Sequence, residues 1–128
     1  MRKTYTVISG IQNGSYIRFI LEEDTTDQEV KAGGQLITDS EKNAFVYLMD
    51  DTDGYIYVQF PKMVWPLLAA SLAADKEPVL AWGQTEISLD NFREELSMLI
   101  FNIEGNHNYG EEFANSVEDA FKEQLLAQ

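Results

Sequence analysis

The segment from Asn43 to Phe60, NAFVYLMDDTDGYIYVQF, narrows the choice of fold more than any other. Two β-rich runs flank a short acidic stretch, and Asp53-Gly54 is a residue pair that tight hairpin turns favour. With that pair at the centre of the turn, alternation places Phe45, Tyr47, Met49, Ile56, Val58 and Phe60 on one side. So apolar a face must be covered, which predicts a sheet with a packed core against it. The reverse side holds Val46, Leu48, Tyr55, Tyr57 and Gln59. That surface is too apolar for full hydration, which predicts partial cover by a helix or a second subunit, or an aromatic binding face that uses Tyr55 and Tyr57.

The rest of the chain repeats the theme. Residues 4–21 place Asn13-Gly14 between β-rich flanks, and the preference of Asn-Gly for positive φ predicts a type I′ hairpin. Gly83-Gln84 marks another turn inside PVLAWGQTEISL. Residues 22–34 are polar and acidic and end in Gly33-Gly34, which predicts an exposed, mobile loop. After Phe60 the chain becomes Ala- and Leu-rich, with Pro66 suited to a first helical turn and a helix reaching about Asp75. Phe92, Leu96, Leu99, Ile100 and Ile103 recur at helical spacing, opened by Asn91 with Glu94 as a capping-box pair and closed by Gly105 as a left-handed cap. Phe113, Val117, Ala120, Phe121 and Leu125 form the stripe of a C-terminal helix. Hairpins without a βαβ period predict one α+β domain over residues 1–128, with a mainly antiparallel sheet built from hairpins and about three helices packed on it.

Composition removes several chemistries. A hydrophobic share of 45% in 128 residues supports a folded core rather than disorder. Cysteine is absent, so disulfides, thiolate nucleophiles and Cys-based zinc sites are excluded. The start, MRKTYTVISG, lacks the apolar run of a signal peptide, and no later run approaches a membrane span, so a cytoplasmic location without membrane contact is expected. A net charge of -13 repels phosphates, so no direct nucleic-acid binding is expected. The excess of acids reads first as a solubility device, and as a DNA mimic only if the carboxylates formed a dense array. They are scattered instead.

No motif for a metal or cofactor emerges. MDDTDG lacks the acids that a calcium loop needs at Met49 and Phe60. The single His cannot build a multi-His zinc site, and no Gly-rich phosphate signature is present. Adjacent acids such as Glu94-Glu95 and Glu111-Glu112 diverge by about 100° on a helix and form no clamp. Glu118 and Lys122 are spaced for a solvated i,i+4 pair. A Ser or Thr nucleophile activated by His107 finds no G-x-S-x-G elbow, so no catalytic residue is assigned.

One stretch stands apart, GNHNYG at residues 105–110. Between two amphipathic helices the backbone must reverse and satisfy its orphan groups, which gives each residue a structural role. Asn108 and Glu111 have the spacing of a capping box, Asn106 can brace the turn, and Tyr109 can pack its ring and bond its hydroxyl. The same amides and phenol, with the N–H groups of a helix start, could instead converge on an anion or a small polar ligand.

GQLITDS at 34–40, NAFVYLMDD, VWPLL and NIEGNHNYGEEF together resemble the YjbL-type family of small cytosolic proteins from low-GC Gram-positive bacteria. The resemblance covers the chain from Gly34 onward, and the first hairpin matches only in general character. Its pattern in the corner, N-I-x-G-N-x-N-Y-G, is matched by Asn102, Gly105, Asn106, Asn108, Tyr109 and Gly110, with His107 at an open position. That shifts attention from the histidine to the amides and Tyr109. The family implies no activity, but the small size of its members suits an accessory protein. The expected function is therefore accessory or regulatory, through contact with a protein partner or a second copy. The alternative is a small-molecule or nucleotide binder, conceivably a weak enzyme, and an acidic DNA mimic comes third. The candidate binding residues are Asn102, Asn106, Asn108, Tyr109, Tyr55 and Tyr57.

Overall fold

The computed structural model describes residues 3–25 and 29–127. Its strands are β1 (Lys3–Asn13), β2 (Tyr16–Leu21), β3 (Lys31–Asp39), β4 (Ala44–Asp51), β5 (Gly54–Pro61), β6 (Val79–Trp82) and β7 (Thr85–Ser88). The helices are α1 (Trp65–Ala73), α2 (Phe92–Ile103), α3 (Glu111–Ala120) and α4 (Lys122–Leu126), with 3-10 turns at Lys62–Val64 and His107–Tyr109. The expected α+β class holds, with four helices in place of three.

The expected mainly antiparallel sheet holds in four pairings among the described residues, but two further pairings are parallel, so the sheet is mixed and not built from hairpins alone. Its order is β3-β4-β5-β1-β2-β6-β7. Each hairpin is antiparallel internally, but β1 runs parallel to β5 and β2 runs parallel to β6. Turn residues dictate pairing inside a hairpin and carry no information about which strand a neighbouring hairpin meets. The sheet curls so that its two outer strands, β3 and β7, approach one another, and α2 lies against β3.

Local geometry differs from expectation at three places. In the second hairpin Asp51 pairs with Gly54, so Thr52-Asp53 is the loop and the register is two residues from that expected. A shift of two preserves alternation, and the six residues assigned to the core face are all fully buried. In the first hairpin Asn13 pairs with Tyr16, and Gly14 at φ +61 leads the two-residue loop, a position that suits type II′ rather than type I′. Gly33-Gly34 does not end a loop. Both residues lie in β3, at an irregularity between Ala32 and Gln35, where a Cβ on Gly33 would stand 2.3 Å from the Leu48 carbonyl oxygen. That close approach is why the strand carries glycine there. Of the predicted mobile loop, Glu22 and Glu23 are bonded to the backbone of Thr6, and residues 26–28 lie outside the described residues.

The core is aromatic. Phe45 meets Trp65, Phe113 and Phe121 at ring separations of 5.2–6.0 Å, which ties β4 to α1 and α3 and to the residue that precedes α4. Phe92 meets Phe19, Phe60 and Tyr47, which seats the start of α2 in the bowl of the sheet. Tyr47 closes that bowl. Its hydroxyl donates to the Asp90 carbonyl oxygen at 2.6 Å and accepts from the Gly34 N–H at 3.0 Å, and burial pushes its pKa up to about 12. Asn91 donates to the Gly34 carbonyl oxygen, and the Leu36 N–H donates to Glu95, so the first turn of α2 satisfies part of the outer edge of β3. The expected capping box does not form, because Asn91 sits at φ +66 with its side chain committed to β3. The C-terminal stripe is buried as expected, but Phe121 at φ -111, ψ 24 divides it into α3 and α4.

Candidate functional site

The 105–110 corner is a self-satisfied reversal. α2 ends at Ile103, and Gly105 turns the chain at φ +69, as expected of a left-handed cap. The Gly105 N–H donates to Glu118 Oε2 at 2.9 Å, and the Asn106 N–H donates to the Ile103 carbonyl oxygen at 3.0 Å. Asn106 joins two elements. Its Nδ2 donates to the Asn102 carbonyl oxygen at 3.3 Å, and its Oδ1 accepts from the Asn108 N–H at 3.0 Å. The 3-10 turn moves the start of α3 to Gly110, so the expected Asn108–Glu111 capping box is absent. Tyr109 packs its ring on Phe113 at 6.3 Å, while its hydroxyl makes no hydrogen bond to a described residue. The side chains of His107 and Asn108 face solvent. Glu118 is spent on Gly105, and the break at Phe121 places Lys122 on the next helix, so the expected Glu118–Lys122 pair is replaced.

Tyr55 and Tyr57 lie elsewhere. They alternate with the buried Ile56 and Val58, so they occupy the opposite face of the sheet, and Tyr55 is 56% exposed beside the hairpin loop. Val46 and Leu48 on that face are buried between cross-strand partners, Ile37 and Gln59 for the first, Gln35 and Tyr57 for the second. Tyr109, through Phe113, belongs to the Phe45 end of the core. The candidate residues thus form two separate groups, Asn102, Asn106, Asn108 and Tyr109 at the corner and Tyr55 and Tyr57 on the sheet.

A third feature was not anticipated. α1, α2 and α4 enclose an open cleft of about 560 Å³. α1 contributes Leu72 and Ala73; α2 contributes Arg93, Glu94, Ser97, Ile100 and Phe101; α4 and the residue after it contribute Glu123, Gln124 and Ala127. None of the six candidate residues lines it. Arg93 Nε donates to the Ser71 carbonyl oxygen at 2.9 Å, so this cation caps the C-terminal end of α1, and Gln124 donates to the Ala69 carbonyl oxygen at 3.3 Å. Met98 does not line the cleft, but it falls four residues after Glu94 and three before Phe101, next to those two lining residues on the surface of α2. A signal for this cleft existed in the sequence: Met98 and Phe101 are apolar yet fall off the stripe of Phe92, Leu96, Ile100 and Ile103 that faces the core.

Charged groups elsewhere serve the fold. Lys3 pairs with Asp51 at 3.0 Å; that hydrogen bond raises the lysine pKa and lowers the carboxylate's. Glu86 accepts from the Tyr16 hydroxyl and pairs with Arg18, and the bond to Glu86 raises the Tyr16 pKa. Among the described residues, no group of three or more His, Asp or Glu side chains is gathered to hold a metal ion. No helix among them is long and apolar enough to cross a membrane.

These observations define a small α+β protein in which a curled mixed sheet carries a helical side opened by a cleft. The chain belongs to UPF0738, a family of unknown function whose model matches residues 5–121. It is 42% identical over 122 residues to the UPF0738 protein of Lysinibacillus sphaericus, covering 95% of this chain and 96% of that one. It is 46% identical over 90 residues to UPF0738 protein GK0828 of Geobacillus kaustophilus, covering 70% and 71%. It is 32% identical over 121 residues to UPF0738 protein YjbL of Bacillus subtilis, covering 94% and 99%. The kinship therefore extends through the first hairpin, beyond the part resembled from Gly34 onward. No solved structure matches the chain.

Proposed function

We propose that this protein is a cytoplasmic accessory or regulatory protein that acts by binding another protein, with the α1–α2–α4 cleft as its contact surface. The observation that carries this reading is Phe101, 36% exposed in the wall of the cleft with Leu72 and Ile100, and Met98, 51% exposed, one helical turn away on α2. An amphipathic helix needs only its inward stripe to fold, and two large apolar side chains left beside a concavity are what protein contact sites present. Phe101 gives a rigid anchor, and Met98 a flexible one that adapts to a partner. Asn106, by contrast, has both ends of its side-chain amide engaged inside the corner, which favours an architectural role there. The test is affinity purification from a bacterium that carries the family, comparing the natural chain with Phe101→Asp and with an Asn106→Ala/Asn108→Ala double variant. Loss of one partner with Phe101→Asp at unchanged melting temperature supports the cleft. Loss confined to the double variant at unchanged melting temperature moves the site to the corner.

A second reading uses the same cleft for a small molecule, because its volume falls within the roughly 300–1,000 Å³ of ligand pockets. Thermal stabilisation by a defined compound, abolished by Phe101→Asp, would favour it. A compound whose binding required the Tyr109 hydroxyl would favour the corner instead, and Tyr109→Phe tests that directly.

A further inference from the structure

The partner's chemistry follows from the walls of the cleft, in an argument that rests on the protein-binding reading above. Glu94 on α2 and Glu123 on α4 face solvent from opposite walls. Among the described residues the lining holds one cation, Arg93, whose guanidinium donates to the Ser71 and Leu72 carbonyl oxygens at 2.9 and 3.5 Å at the end of α1. Two exposed carboxylates stand against that one cation, so the lining is net acidic. Lys122 lines the neighbouring hollow together with Glu104, Glu118 and Asp119, so that hollow is also net acidic. The whole chain carries -13, which adds an attractive field for cations.

The shape selects the secondary structure of the occupant. All three walls are helices, and the Ala69, Ser71 and Leu72 carbonyl oxygens at the end of α1 are taken by Gln124 and Arg93, so the cleft offers side chains and no strand edge. A bound strand would have no ladder to join. A helix satisfies its own backbone and needs only an apolar stripe, the helix-in-groove mode. The floor of Leu72, Ile100 and Phe101 meets such a stripe, and Glu94 and Glu123 meet basic residues that flank it.

We infer that the cleft binds a basic amphipathic helix of a partner protein, with apolar side chains against Phe101 and Leu72 and Lys or Arg residues against Glu94 and Glu123. Specificity comes from the pairing of the apolar stripe with flanking cations, and the charges mainly govern the rate of association.

The experiment uses the full chain and three labelled peptides of about five helical turns. The first carries a Leu stripe with Lys on the other faces. The second replaces every Lys by Glu. The third keeps the composition of the first in an order that destroys the stripe. Binding is followed by fluorescence anisotropy and located by backbone amide shifts in NMR spectra. The stripe-bearing Lys peptide is expected to shift Ser97, Phe101 and Gln124, and to bind on the order of 10-fold more tightly than either control. Phe101→Ala should weaken it on the order of 10-fold. Glu94→Gln with Glu123→Gln should weaken it about threefold at low ionic strength and reduce its salt dependence. All these substitutions fall on exposed side chains, and unchanged circular dichroism verifies the fold. Equal binding of the Glu peptide in the cleft overturns the charge assignment and leaves the protein-binding reading standing. Equal binding of the unstriped Lys peptide, or shifts spread over the acidic surface away from the cleft, overturns the helix-in-groove assignment. If no peptide binds, the inference fails; the protein-binding reading fails only if affinity purification also finds no partner that depends on Phe101.

Discussion

Replacing Tyr47 by Phe removes one oxygen and leaves the ring. That oxygen joins three parts of the chain, since it donates to Asp90 before α2 and accepts from Gly34 in the outer strand while its own strand is β4. Two neutral hydrogen bonds are lost, each with a net worth of about 1 kcal/mol, so Tyr47→Phe should cost about 1–3 kcal/mol at pH 7. The pH dependence gives a sharper readout. Burial raises the phenol to about 12 in the folded chain, against an ordinary value of 10.0. A group raised on folding contributes stability that is fully present below its unfolded pKa and is lost as pH rises through the folded value. The window is therefore pH 10 to 12, and the advantage of wild type over Tyr47→Phe should shrink by ~1.4 kcal/mol by pH 11. Urea titrations followed by tryptophan fluorescence measure this, because Trp65 and Trp82 are both buried and report unfolding. A cost below about 0.5 kcal/mol at pH 7, together with a wild-type advantage that does not change between pH 9 and pH 11, would refute the clasp.

The remaining predictions concern other joints. Gly33→Ala should destabilise by about 1–3 kcal/mol in thermal or urea unfolding, because the new Cβ meets the Leu48 carbonyl at 2.3 Å and the obstacle is backbone. Phe45→Ala should cost about 3–5 kcal/mol, since the ring contacts Trp65, Phe113 and Phe121 together. Asn106→Ala should cost about 1–2 kcal/mol and Asn108→Ala less than about 0.5 kcal/mol, a contrast that urea titration of the two single variants will resolve. Asp51→Asn should flatten part of the acid limb of stability. The lowered carboxylate contributes above its unfolded pKa and loses that contribution as pH falls through the folded one, so wild type and variant should converge in acid.

Much of the fold was legible because alternation survives errors of register. Phe45, Tyr47, Met49, Ile56, Val58 and Phe60 are buried even though the turn sits one residue from the expected position, since the register then shifts by two and every side chain keeps its own face. What lay beyond the sequence was non-local. No turn residue announces that the β1–β2 hairpin inserts between β5 and β6, and the two parallel junctions it makes there render the sheet mixed. Gly33-Gly34 looked like a loop because a glycine required by the approach of Leu48 reads, in one dimension, like a glycine required by a turn. The corner was legible as a reversal, with Gly105 as the left-handed cap and Asn106 as a brace, while the 3-10 turn that displaces Asn108 from its expected cap was not. The cleft escaped notice because Leu72, Phe101 and Gln124 lie far apart in the chain, and only the packing of three helices brings them together.

Binding of a partner protein at the α1–α2–α4 cleft is tested by a photo-reactive amino acid placed at Met98 in living cells, since that side chain is 51% exposed and lies one helical turn from Glu94 and Phe101 in the wall of the cleft. One dominant cross-linked protein is expected, attached through a basic helical segment and lost when Phe101 is replaced by Asp. Efficient cross-linking from Tyr55, on the far face of the sheet, with none from Met98 would contradict it.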